Sequence, residues 1–160
     1  MSATKFPINR PAIITRTVKN VFETMVGLPV VPKEGTALPD LGEEILGTVG
    51  LASDTVAGSV HFHLSITFAS EITERILGSP PQANGAINDA IGELTNMVAG
   101  ALKSAYCDAG HFCVMSIPGI VRGSALTIRN MPSTTSERFL FACGPNIFAV
   151  EVHSQRTGEL

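Results

Sequence analysis

Apolar residues at Ile87, Ala90, Ile91, Leu94, Val98, Ala101, Leu102 and Ala105 recur every three or four positions, the spacing that lines one side of a helix, with Met97 at the edge of the stripe. Asp89, Glu93, Asn96, Gly100 and Lys103 take the opposite side. Nearer the N-terminus, Ile14, Val18, Val21, Phe22 and Met25 form a second stripe, which predicts a helix over residues 13–26 that Gly27 ends ahead of Pro29. The period then changes to two. Val60, Phe62, Leu64, Ile66 and Phe68 alternate with His61, His63, Ser65 and Thr67, predicting a strand over 56–67 with one buried and one polar face. Residues 45–52 supply its hairpin partner across Ser53-Asp54-Thr55.

Ser70 is expected to cap a short helix over 71–77 that opens on an acid and stops at Gly78. Residues 112–117, 124–130, 138–143 and 147–153 read as strands, the last two joined by Gly144-Pro145-Asn146. Residues 139–143 are apolar on both faces, which suits a strand in mid-sheet or at a subunit contact. Residues 29–40, with Pro29, Pro32, Gly35 and Pro39, form a connecting loop, and Pro80-Pro81 opens the loop into the long helix. Strands interrupted by helices that do not alternate with them one for one argue an α+β fold with a mostly antiparallel sheet.

A chain of 160 residues with 44% hydrophobic content can bury one sizeable core, so a single domain over 12–154 is expected, with an N-terminal lead-in over 1–11 and a tail over 155–160. A net charge of −3 and 6% aromatic residues give no basic footprint, which argues against a nucleic-acid partner. No apolar run reaches the roughly 18 residues that a spanning helix needs, and no signal-peptide pattern is present. A soluble, cytoplasmic protein without a membrane partner is the expectation. Cys107, Cys113 and Cys143 are odd in number and lack C-x-x-C spacing, so buried, reduced thiols are favoured over a disulfide framework or a zinc knuckle. His61 and His63 share a strand face with no evident third ligand, and His111 and His153 are scattered, so no metal site is assigned. A hydrolytic triad is weaker still, because no G-x-S-x-G elbow appears.

The polar side of the long helix carries the candidate chemistry. Residues three and four apart are surface neighbours, so Asp89, Glu93, Asn96 and Gly100 form one patch, around which Gly85, Gly92, Ala99 and Gly100 add almost no bulk. Each interior glycine destabilises a helix by roughly 1 kcal/mol relative to alanine, and close approach by a partner explains Gly92 and Gly100. An E-x-x-N spacing by itself also suits an ordinary solvated face.

The run Asp89-x-x-x-Glu93-x-x-Asn96-x-x-x-Gly100, followed by Pro118-Gly119-Ile120-Val121-Arg122-Gly123, resembles the phosphatase signature of the CheC/CheX/FliY family of bacterial chemotaxis. The resemblance extends through the N-terminal helix, Gly47-Thr48-Val49-Gly50-Leu51, Gly58-Ser59-Val60 and Phe68-Ala69-Ser70-Glu71-Ile72-Thr73, from about Thr15 to Val152. It implies a CheC/CheX-like fold with the signature helix and the N-terminal helix packed on the sheet. CheC-type members carry the signature twice; here Val18-Lys19-Asn20-Val21-Phe22-Glu23 does not reproduce it, which is the CheX-type arrangement. That arrangement implies a homodimer in which the sheets meet.

By the same resemblance the substrate is the aspartyl phosphate of a phosphorylated CheY-type receiver domain. Asn96 would orient the attacking water and Glu93 would pair with the receiver's lysine, while the Mg²⁺ belongs to the receiver and this chain binds no cofactor or metal. Asp89 occupies the signature's small or acidic position, with helix support and rim contact both open, and Lys103 is a rim charge or a solvated side chain. The alternative is a non-catalytic module of this family that binds a receiver or another signalling protein.

Overall fold

Short side-chain caps and left-handed glycines set the ends of the helices. The computed structural model describes residues 8–129 and 131–156. Helix α1 (Arg10–Val21) starts where the Asn9 side chain accepts the Ala12 N–H at 3.2 Å, runs on as a π-helical turn (Phe22–Val26), and stops at Gly27 with φ of 73°. Residues 1–7 of the expected lead-in lie outside the described residues, and Arg10 and Pro11 already belong to α1.

Strand β1 (Val31–Lys33) falls inside the proline-punctuated segment expected to be a loop. Among the described residues it pairs only with the sixth strand, as an edge strand, where a proline costs no ladder hydrogen bond on its free side. Strands β2 (Glu43–Ser53) and β3 (Val56–Ser65) form the expected hairpin. The short helix begins earlier than expected. Ser65, not Ser70, is its cap, accepting the Phe68 N–H at 3.1 Å, and α2 spans Ile66–Leu77 before Gly78 ends it at φ of 77°. Ile66 and Phe68 fit a two-residue and a helical period equally well, and the cap decides between them.

Helix α3 (Asn84–Asp108) is the predicted long helix. Strand β4 (Cys113–Met115) is shorter than the 112–117 expected. The strand expected over 124–130 is displaced towards the N-terminus: β5 is Gly119–Ser124, residues 125–129 carry no strand, and Asn130 lies outside the described residues. Ala125 ends β5 with a left-handed φ of 52°, and the next N–H, that of Leu126, goes to the Glu44 carboxylate at 2.9 Å rather than to a ladder. Strands β6 (Thr135–Cys143) and β7 (Asn146–Arg156) meet through Gly144, whose φ of 57° a first hairpin-turn position requires, followed by Pro145. The last strand thus takes in the start of the expected tail, and residues 157–160 lie outside the described residues.

All pairings are antiparallel, in the order β1-β6-β7-β3-β2-β4, with β5 on the same edge of β2 as β4. The helices cover one face of this sheet. Between them lie Phe22, Phe62, Phe68, Phe141 and Phe148, with the Phe148 ring centred 5.0 Å from Phe22 and 5.3 Å from Phe62. Among the described residues no helix is long and apolar enough to cross a membrane.

Candidate functional site

The apolar stripe of α3 is seated on β2 and β3, with Ile91, Leu94, Thr95, Ala99 and Leu102 all fully buried. Two contacts seat the helix. A Cβ built on Gly47 of β2 would lie 2.0 Å from the Thr95 hydroxyl oxygen and 3.2 Å from Ile91, so only glycine lets the helix descend this far. Thr95 meanwhile donates its hydroxyl to the Ile91 carbonyl at 2.7 Å, which leaves no orphaned polar atom in the contact.

The second contact comes from the break between β4 and β5. Strand β2 pairs with β4 at its far end and with β5 at its near end, and Ser116 bridges the gap. Its N–H donates to the Gly50 carbonyl at 2.9 Å and its hydroxyl accepts the Gly50 N–H at 2.8 Å. Two residues on, Pro118 lies over Gly92 of α3. This corrects the reading of Gly92 as room for a partner, because the residue is buried and faces its own chain. A Cβ there would sit 3.5 Å from Pro118, an ordinary contact. Ala99 is buried too, whereas Gly100 has open space around its Cα.

On the outward side, Asp89 and Glu93 are exposed, and Asn96 and Lys103 are half-buried. Residues at this spacing place their Cβ atoms about 5–6 Å apart, so the Glu93 carboxylate and the Asn96 amide can reach one external group. Among the described residues no hydrogen bond or ion pair holds either side chain. A carboxylate and an amide with their capacity unspent, on a helix fixed from below, can grip a cation and align a water.

The opposite face of the sheet treats its polar residues differently. His61 and His63 were expected on a polar face; the face is polar, but His63, Glu44, Glu151 and His153 are buried in it. His63 meets Glu44 at 3.1 Å, and Glu151 accepts from His153 at 3.0 Å and from Arg138. Burial raises the Glu151 carboxyl, but those hydrogen bonds and the Arg138 charge outweigh it and hold the group below its ordinary range. Burial first, and the neighbouring His153 second, push the His61 imidazole down to about 4. Among the described residues no group of three or more His, Cys, Asp or Glu is arranged to hold a metal ion.

All three cysteines are free. Cys113 and Cys143 are buried, with burial pushing both thiols up, but Cys107 on α3 is exposed, contrary to expectation. It lies near the helix end, beyond the apolar stripe. Sequence reasoning missed Gly47, Thr95 and Ser116. A glycine inside a strand is the available signal for the first, and nothing local announces the partner it admits.

The family described as chemotaxis phosphatase CheX matches residues 45–142, a segment that holds Glu93, Asn96 and Pro118. No curated protein matches the sequence. Among solved structures, the chain is similar to the chemotaxis protein CheX from Vibrio vulnificus, with a TM-score of 0.81 and 25% identity over 95% of this chain and 100% of that one. A chemotaxis protein CheX from Desulfovibrio desulfuricans superposes with a TM-score of 0.76 at 22% identity, over 91% of this chain and 98% of that one. The match to the CheX–CheY–BeF3–Mg complex from Borrelia burgdorferi has a TM-score of 0.72 at 18% identity, over 92% of this chain and 99% of that one. The chain belongs to the CheX family of chemotaxis phosphatases.

Proposed function

We propose that this protein is a phosphatase that accelerates hydrolysis of the aspartyl phosphate on a CheY-type receiver domain, with the outward face of α3 entering the receiver's active site. One observation carries the reading: Glu93 and Asn96 stand one turn apart, without internal partners among the described residues, on a helix whose opposite face is fixed by Gly47 and Thr95. The complex of the Borrelia burgdorferi relative with CheY, BeF3 and Mg supports the choice of partner.

The division of labour follows from chemistry. A receiver brings the phosphoryl group, its Mg²⁺ and a lysine, so the helper has to supply alignment rather than a nucleophile. The Asn96 amide can accept one hydrogen bond from a water and donate another, without competing as a nucleophile. The Glu93 carboxylate pairs with the lysine and sets the register of docking. Raising the rate about 100-fold takes about 2.7 kcal/mol of transition-state stabilisation, within the reach of one aligned water. Asp89, Gly100 and Lys103 then lie at the rim of the contact.

The competing reading is a module that docks a receiver without hydrolysing its phosphate. Affinity for a beryllofluoride-activated receiver, measured beside the rate of phosphate loss, separates the two. Asn96→Ala is expected to keep the affinity and lose the acceleration, and Glu93→Ala to lose both. Wild-type turnover in Asn96→Ala would sink the assignment. The reading also carries a cytoplasmic location and a homodimer through the sheets, and the dimer falls if light scattering gives the mass of a single chain.

A further inference from the structure

Apolar packing seats α3 on the sheet, but the hydrophobic effect is not directional, and a hydrogen-bonded contact adds a constraint on rotation about the helix axis that burial alone does not supply. The direction in which Glu93 and Asn96 point depends on that rotation. A directional contact is present at the other end of the same helix face. Arg122 stands in β5 opposite Ile45 of β2, and Ile45 is fully buried on the helix side of the sheet. From there its guanidinium reaches α3. The Asn88 side-chain oxygen accepts from Nε at 2.9 Å and from Nη2 at 2.6 Å, and the Asn84 carbonyl accepts from Nη2 at 3.0 Å.

Helix stability alone does not explain this contact. The first turn of α3 has no acidic residue, and Ala83 ahead of it offers no side-chain cap. A positive charge at that end opposes the helix dipole, so a residue chosen for stability would be an acid. Asn88, Gly92 and Asn96 succeed one another at four-residue intervals along one line of the helix, with Pro118 against the middle one. Torque applied at Asn88 is therefore transmitted along the line that ends in the candidate water-orienting amide.

We propose that Arg122 is a positioning residue for this site: by gripping Asn88 and Asn84 it sets the rotation of α3, and with it the aim of Glu93 and Asn96 at the receiver. The inference rests on the phosphatase reading, and its test is arranged so that the two can fail separately. In the full-length protein, Arg122→Met, Asn88→Leu, their combination and Asn88→Asp are assayed for kcat and KM on a phosphorylated CheY-type receiver. Melting temperature and amide hydrogen exchange along α3 are followed in parallel.

Misaim by an ångström lowers kcat by about 10- to 100-fold, so Arg122→Met and Asn88→Leu are expected to lose that much in kcat, with a smaller rise in KM than Glu93→Ala gives because the Glu93 carboxylate is still present. The combination loses no more than either alone, because both remove one contact. Asn88→Asp keeps the acceptor oxygen and retains the wild-type kcat. Full kcat in Arg122→Met, multiplied losses in the combination, or a kcat loss that only tracks the unfolded fraction would each overturn the proposal. If the wild-type protein accelerates nothing, the phosphatase reading fails and hydrogen exchange decides the clamp. Faster exchange confined to residues 84–96 in Arg122→Met upholds it, and an unchanged pattern refutes it.

Discussion

The two faces of this molecule use the same kinds of polar side chain to opposite ends. Beneath the sheet, Glu44, Glu151, His63 and His153 are buried, and each is tied to a neighbour inside the fold, with the His63 Nδ1 the one buried atom left without a hydrogen bond among these four side chains. On α3, Glu93 and Asn96 reach solvent with no internal partner among the described residues, although the helix beneath them is held by a contact that only glycine permits. A polar group that is paired and buried specifies structure. A polar group left unpaired on a rigid support is available to another molecule, and the rigidity gives its position value.

If this division holds, substitutions on the sheet face change stability and leave turnover per folded molecule intact. The largest effect is expected for Glu151→Ala, which takes the carboxylate away from His153 and from Arg138, the latter keeping its bond to the Thr36 carbonyl. Breaking a buried pair from one side costs about 3–5 kcal/mol, and the lower end applies because Arg138 is partly exposed, so urea unfolding is expected to shift by about 3 kcal/mol. A loss below about 0.5 kcal/mol would remove this network from the account of stability.

Gly47→Ala joins the two faces, since it lies in the sheet and presses on the helix. The methyl group would meet the Thr95 hydroxyl, and forcing such a contact costs about 1–3 kcal/mol. Unlike Glu151→Ala, it is expected to reduce turnover per folded molecule as well, because α3 must lift directly behind Asn96. Thermal melts combined with single-turnover rates give both quantities. Unchanged turnover would show that the site tolerates movement of its support.

The pH dependence sharpens the comparison further. The His61 imidazole, facing His153, Glu151 and His63, titrates near 4 in the fold against an ordinary value of 6.5. The unfolded chain therefore binds this proton first, and stability falls as pH drops from 6.5 to 4. With partial exposure of the ring discounted, this amounts to about 1–2 kcal/mol. The depressed Glu151 carboxyl adds a loss at lower pH, because its stabilisation is present above its ordinary value and disappears as pH falls through the folded one. His61→Gln is expected to flatten the upper part of the curve in denaturant titrations from pH 7 to 4. A wild-type slope in that variant would contradict the assignment.

The smallest effect separates the two mid-helix glycines. Gly100 has open space above it, so Gly100→Ala is expected to stabilise the protein by about 0.5–1 kcal/mol. If a receiver approaches α3 closely there, KM rises while stability improves. An unchanged KM would place Gly100 outside the contact.

Long, regular patterns were legible in the sequence. The stripe from Ile87 to Ala105 predicted α3, and the alternation from Val60 to Leu64 predicted β3, because each repeats its period several times. Reading failed where a period was short or ambiguous. Ile66 and Phe68 suited strand and helix alike, the alternation over 124–130 was broken by the backbone of Ala125, and Val31 was masked by its prolines. At the site, the spacing and the family resemblance singled out Glu93 and Asn96, but Gly92 was assigned to a partner when it packs on Pro118. The contacts that seat α3 join residues far apart in the chain, Gly47 with Thr95 and Arg122 with Asn88, and no local pattern carries them.

The central claim is that the unpaired amide on α3 orients water at a receiver's phosphoryl group. Its most direct test is the decay of a phosphorylated CheY-type receiver from the same organism with substoichiometric wild-type protein or Asn96→Ala. The account predicts that the wild-type protein shortens the phosphate lifetime over many turnovers and that Asn96→Ala returns it to the receiver's own rate while remaining folded. Acceleration that survives in Asn96→Ala would contradict it.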